Sequence, residues 1–455
     1  MSFESSINNV LTNIAITLAI FGAIIIAIGY LIKIGYPLLR SLNKSNLKLS
    51  ISNAKGIIFG KLWKFRVYSP VENEGHCIVF GGSGEGKTTA LLIPTLRSWN
   101  GTSFVIDISG DIGTNVHDTN KLVFEPDNDD TIPYNIFGAI DDLDSIEDKN
   151  EALLELASLI LPPLNENAND ASKFFNDYGR KFIEAALLAF YPQGKDFVEI
   201  CQIITTTDYL HFFDLIEETH NRDALMRISC MFGGNEKNNS GAKSEADDAV
   251  IFFATNPKAI KSLRRPKPNE IAITPSVLEK QSVYIVVEYH KLYQYSSLMQ
   301  IIVGQNLKYF SMRKNYTKPS ILFCLDEFAA LGLLPILDSV RILRKKSIRI
   351  FILTQSLSDI DLIYGINERK VILDNMKFKI LLSASEVETQ QYFADLIGPR
   401  HIRKSFDNLF NNTNNLAFYA EPAVQPTTLG SLTKHLYLIH KGGFTKLRRN
   451  YFFKK

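Results

Sequence analysis

The segment GGSGEGKT at Gly81–Thr88 constrains this chain more than any other feature. It satisfies the GxxxxGK[ST] pattern, follows the apolar run HCIVF and precedes the helix-forming run TALLIPTL. Each residue type has a physical reason to be there. Glycines let successive backbone N–H groups curve into a nest around phosphate oxygens, where a Cβ would collide. The helix that follows turns its N-terminus toward the same anion. Lys87 offers a cation to β- and γ-oxygens, and Thr88 offers a hydroxyl to Mg2+. The expected cradle for ATP is Gly81, Gly82, Ser83, Gly84, Glu85, Gly86, Lys87, Thr88 and Thr89.

Two further strand-like runs end in residues suited to the same chemistry. SILFCLDE (Ser320–Glu327) is an apolar run closed by two acids. Asp326 is placed to hold the Mg2+ shell, and Glu327 to polarise an attacking water, a general-base role worth roughly 10²–10⁴-fold. IRIFILTQS ends in Gln355, whose neutral amide can touch both that water and the γ-phosphate. A basic run, RILRKKSIR (Arg341–Arg349), leads into it. In a single chain such a run is a solvated face. In a ring it can project an arginine into the adjacent subunit's site, a contribution of roughly 10³–10⁵ in rate.

Around these motifs the organisation is legible in outline. Residues 14–32 carry no charge, and at about 1.5 Å per residue they reach roughly 30 Å, the thickness of a bilayer core. Lys33, Arg40, Lys44, Lys48 and Lys55 follow, which predicts an uncleaved anchor over 1–36 with its C-terminal side in the cytoplasm. Short β-branched runs alternate with helical patterns over 37–140 and again over 276–455, implying a parallel sheet covered on both faces. Between them, 141–275 reads as an inserted all-α domain. Asn-rich 164–172, polar 233–248 (GGNEKNNSGAKSEADD) and 407–415 read as loops or linker, and a last pair of strands is expected near 436–439 and 446–453. Net charge is only +2 over 455 residues, so nucleic-acid contact needs a local patch or a ring of subunits. Cys77, Cys201, Cys230 and Cys324 form no CxxC pair and read as reduced, packed thiols.

The stretches GGSGEGKTTALLIPTLRSWNGTSFVIDISGD, LDEFAALGLLPIL, FILTQSLSDI, YGINERKVILDN and ETQQYFADLIG, in that order, resemble the type IV coupling proteins. These are ring ATPases that deliver DNA–relaxase complexes or effector proteins to type IV secretion channels. The resemblance implies a RecA-like α/β P-loop domain with the inserted helical domain and an N-terminal transmembrane helix. It also implies a homo-hexamer at the bacterial inner membrane, and Arg344 as the residue acting in trans. Three departures stand out. The family usually has two membrane spans where one is expected here; its KGE triplet appears as Ser109, Gly110 and Asp111, with Asp107 retained; and no long acidic tail follows KLRRNYFFKK. The leading expectation is an ATP-driven coupling motor whose partners are secretion-channel components and a DNA–relaxase or effector cargo. A double-stranded DNA translocase is the alternative within that class, and a nucleotide-binding docking receptor with little turnover is the alternative outside it.

Overall fold

A computed structural model describes residues 20–21, 35–164, 168–403 and 418–453. Apart from Ile20, Phe21, Gly35 and Tyr36, the anchor expected over 1–36 lies outside the described residues, as does the linker at 407–415. Among the described residues no helix is long and apolar enough to cross a membrane.

Three strands precede the one that leads into the P-loop, in a stretch where periodicity does not separate strand from loop: β1 (Lys48–Ser50), β2 (Gly56–Leu62) and β3 (Phe65–Pro70). The central strands are β4 (His76–Phe80), β5 (Thr102–Asp107), β6 (Lys121–Phe124), β7 (Ser282–Val286), β8 (Ile321–Leu325), β9 (Ile348–Thr354) and β10 (Met376–Leu381). A separate hairpin, β11 (Pro399–Arg403) and β12 (Phe418–Pro422), is followed by β13 (His435–His440) and β14 (Gly443–Arg448). Twelve strands form one sheet in the order β1-β3-β2-β14-β13-β10-β4-β9-β8-β5-β7-β6. From β10 to β6 every pairing is parallel, and from β13 outward every pairing is antiparallel.

Every residue of β4 is buried, and its side chains alternate between two cores. Ile78 and Phe80 join the core shared with the helices between β6 and β7, whereas Cys77 and Val79 join the core beneath Leu91 and Leu92. That double burial explains why runs such as β4 and β8 are apolar almost throughout rather than alternating. Cys77, Cys201 and Cys324 are buried, Cys230 is exposed, and all four are free thiols.

Between β6 and β7 the elements are helical, and one of them corrects an expectation. Residues 236–248, most of the polar stretch expected as a loop, lie in the helix Glu236–Thr255. Its buried face is Asn239, Ala242, Ala246, Val250 and Phe253 at helical spacing. It packs so closely on the helix Asp170–Phe190 that a Cβ on Gly179 would stand 3.0 Å from the Ala242 carbonyl oxygen. Small residues make that face, so the segment's composition looks polar. Residues 170–172, also expected in a loop, open the helix Asp170–Phe190, with the Asn169 side chain accepting from the Ser172 amide at 2.8 Å. At the other end of the chain β14 stops at Arg448 rather than running on to 453.

Two buried histidines tie strands together in the neutral form. The Ile350 amide donates to His76 Nδ1, so Nε2–H donates to the Val340 carbonyl, both at 3.0 Å. His440 lies between Ser45 and Thr445, each contact at 3.0 Å. Burial lowers both imidazoles to about 4 from the ordinary 6.5. Between those values the unfolded chain holds protons that the folded chain does not, so stability rises with pH across that window. Acidification through it is expected to cost about 1.4 kcal/mol per pH unit from His76 alone, with His440 acting in the same direction. Denaturant midpoints at pH 7 and pH 5 check this: His76→Gln must flatten the dependence, and an unaltered slope would refute the assignment.

Candidate functional site

The parallel strands deliver their C-terminal ends to one edge of the sheet, and the motif residues gather there. β4 runs straight into Gly81, whose amide donates to the Thr354 carbonyl at 3.2 Å and so fixes the loop to the end of β9. Gly84 (φ +75) and Gly86 (φ +88) occupy left-handed conformations, which only glycine adopts without strain. At Gly86 a Cβ would also meet the Tyr451 ring at 3.0 Å. The loop feeds a widened first turn, Thr88–Leu92, and then the helix Ile93–Ser98.

Lys87 is 5% exposed and is held by three oxygens. Its ammonium donates to the carbonyls of Gly81 at 2.8 Å and Gly82 at 3.3 Å, and pairs with Glu327 Oε1 at 3.1 Å. At the tip of β8 the buried Asp326 accepts from the Thr88 hydroxyl at 3.5 Å. Burial, and then the adjacent Glu327 carboxylate, push the Asp326 carboxyl up to about 7; Lys87 opposes them. Asp326 makes no ion pair among the described residues. Glu327 itself sits at φ 43, ψ 53, a left-handed conformation costing a non-glycine residue about 1–2 kcal/mol. That backbone aims its side chain at Lys87 on one side and at Gln355 on the other, whose Nε2 donates to Glu327 Oε2 at 3.3 Å. Next to Gln355 the Thr354 hydroxyl is buried without a hydrogen-bond partner.

The structure therefore brings together Gly81–Thr89, Asp326, Glu327 and Gln355. It does not bring Arg344 to them. Arg344 precedes β9, pairs with Glu74 at 3.6 Å, and lies at the opposite edge of the sheet. The seven residues of β9 separate it from Gln355, roughly 23 Å at about 3.3 Å per residue. Asp107 is spent on local structure: its carboxylate accepts from the amides of Ser109 at 3.3 Å and Gly113 at 2.8 Å, closing the turn after β5.

One residue at the site has no sequence motif. After β14 the chain turns back beneath the P-loop, and Arg449, 3% exposed, inserts its guanidinium there. Nη1 donates to the Glu85 carbonyl at 2.7 Å, and Nη2 pairs with the Glu85 carboxylate at 2.9 Å. Nη2 also donates to the carbonyls of Leu382 at 3.0 Å and Leu432 at 2.7 Å. The Phe452 amide then donates to the Thr89 carbonyl at 3.1 Å. In the sequence Arg449 is one of several cations in KLRRNYFFKK, and only the fold singles it out.

A family model described as type IV secretory system conjugative DNA transfer matches residues 39–416. The protein VirD4 of Agrobacterium fabrum is 21% identical over 393 residues, which cover 82% of this chain and 58% of that protein. A probable conjugal transfer protein TraG of Sinorhizobium fredii is 23% identical over 403 residues, covering 82% and 61%. The chain thus spans about three-fifths of the length of these relatives. Among solved structures, the bacterial conjugative coupling protein TrwB in an unbound form aligns with a TM-score of 0.70 at 15% identity, over 90% of each chain. TrwB in complex with ADP and Mg2+ aligns with a TM-score of 0.66 at 16% identity, over 84% of this chain and 86% of that one. At these identities the likeness establishes a shared RecA-like α/β P-loop fold.

Proposed function

This chain belongs to the type IV secretory system conjugative DNA transfer family, and on that premise we propose that it is an ATP-hydrolysing coupling protein that recruits relaxase-bound DNA or effector proteins and delivers them to a type IV secretion or conjugation channel. The observation that carries the reading is the convergence of Lys87, Asp326, Glu327 and Gln355 from the ends of three adjacent parallel strands. Lys87 and the P-loop amides bind the triphosphate. Glu327 takes the proton of the attacking water, and Gln355, already hydrogen-bonded to Glu327, orients that water. The Thr88 hydroxyl and the Asp326 carboxylate suit Mg2+, being hard oxygen donors of which the buried acid has no cation of its own. When bound, Mg2+ supplies charge neutralisation of the β- and γ-oxygens.

The wider assignment follows the same premise. Residues 1–36 anchor the chain in the inner membrane by a single span, with the ATPase domain in the cytoplasm. Six copies form a ring around the cargo path, and the channel components are its partners. Arg344 serves a site only where the N-terminal edge of one sheet meets the cradle of the next subunit.

The full-length chain in detergent is expected to hydrolyse ATP in a Mg2+-dependent manner, and Lys87→Ala to abolish both nucleotide binding and turnover. Phosphate release with DNA and lipid present decides between the readings. Equal inertness of wild type and Lys87→Ala would sink the motor and leave the docking receptor.

A further inference from the structure

Sheet pairing places two acid-free basic stretches of the chain side by side. Residues 44–71 contain Lys44, Lys48, Lys55, Lys61, Lys64 and Arg66 and no acid, and residues 441–453 contain Lys441, Lys446, Arg448 and Arg449 and no acid. For a chain of net charge +2 this is a strong local excess. β14 meets β2 at Arg448↔Lys61, and β2 pairs with β3, so both stretches share one edge of the sheet. Aromatic rings are interleaved with the cations: at the β2–β3 turn Trp63 is 81% exposed, and Phe65 is exposed beside it.

Between this edge and the end of the helix Ile93–Ser98 lies an open pocket of about 370 Å³. Lys55, Arg66 and Arg97 line it, and no acidic residue does. None of these three cations makes an ion pair among the described residues. Arg97 is pre-positioned, donating from Nε and Nη2 to the Asn115 carbonyl at 2.9 and 2.6 Å, with its guanidinium 4.9 Å from the centre of the Phe452 ring. Asn450 also lines the pocket; it is 4% exposed, yet its side-chain amide makes no hydrogen bond among the described residues. Trp99 and Phe452 supply aromatic walls.

We propose that this edge and its pocket bind single-stranded nucleic acid, with one nucleotide unit in the pocket. Its phosphate meets Lys55, Arg66 and Arg97; its base lies against the aromatic wall within reach of the Asn450 amide. A cationic groove with stacking surfaces is what a sequence-tolerant strand binder needs. An acidic peptide would use the cations but leave the rings and the amide without partners. The inference deepens the coupling-protein reading and rests on it for the cargo's identity. It also supplies a physical link to the ATP site: Asn450, Tyr451 and Phe452 line the pocket, the Phe452 amide donates to the Thr89 carbonyl, and the preceding Arg449 holds Glu85.

The test is fluorescence anisotropy of a labelled oligo-dT with the full-length chain in detergent, over a salt series. Wild type is expected to bind with a linear log–log salt dependence. K55Q/R66Q should weaken binding at least about tenfold at low salt and reduce the slope by up to about 0.7, the value for the one phosphate these cations share. K280Q/K314Q, beside the other half of the sheet, should leave the slope unchanged, and melting temperatures verify that both pairs fold. Absence of oligo-dT binding by wild type, or an unchanged slope in K55Q/R66Q, overturns the proposal. So does competition by dTMP as strong as by the oligomer, which marks a mononucleotide site. Loss of ring assembly with unchanged affinity per ring marks a subunit contact and overturns it too. The Lys87→Ala assay judges the motor itself, so the two failures are separable.

Discussion

Glu327→Gln is expected to slow ATP turnover by roughly 10²–10⁴-fold while ATP stays bound at least as tightly as in the wild-type chain. In the proposed mechanism this carboxylate accepts the proton of the attacking water; Gln355 donates to its Oε2, and its left-handed backbone fixes its direction. Glutamine has the same length and can still accept from Gln355, so the change removes basicity with little loss of shape. It also removes the negative charge that pairs with Lys87 at 3.1 Å, freeing the ammonium for phosphate oxygens. Single-turnover phosphate release and filter binding, done in parallel, read the two effects separately. A loss of turnover below about threefold would move the base role elsewhere, and weakened binding would contradict the competition for Lys87.

Arg449→Met is expected to lower folding stability by at least about 3 kcal/mol and to weaken ATP binding as well. The guanidinium satisfies the carbonyls of Glu85, Leu382 and Leu432, and methionine satisfies none of them. Each buried carbonyl left without a donor costs about 1–3 kcal/mol. Glu85 is partly exposed and can turn to water, so the damage falls on the backbone. Arg449→Lys should recover only part of the loss, since one ammonium cannot span four acceptors arranged around a planar fork. Urea melts give the stability term. Nucleotide affinity under conditions where the variant is fully folded gives the positioning term, and an unchanged affinity there would reduce Arg449 to a purely structural residue.

What the sequence revealed of the site has a common physical origin. Gly81–Thr89, Asp326, Glu327 and Gln355 each sit at the end of a short, largely apolar run, and a strand end is a local property that residue order records. Arg449 has no such signature, because its role arises from a reversal of the chain after β14 that only the folded sheet defines. Arg344 shows the converse: it is close to Gln355 in sequence, but a strand's length divides them in space. The first three strands were obscure because β2 takes a partner, β14, from the far end of the chain. The helix Glu236–Thr255 was obscure because small or polar residues, Asn239, Ala242, Lys243 and Ala246, make the first half of its packing face. The anchor expected over 1–36 concerns residues that, but for 20, 21, 35 and 36, lie outside those described.

β4 lies between β10 and β9, strands that begin at Met376 and Ile348. During synthesis, therefore, the P-loop leaves the ribosome long before the strands that flank it have been translated. The fuel site cannot mature on the nascent chain until those later residues are out, and Arg449 follows later still. A premature stop after the P-loop but before Ile348 would release a product with β4 exposed along both sides, prey for chaperones or proteases rather than a half-active motor.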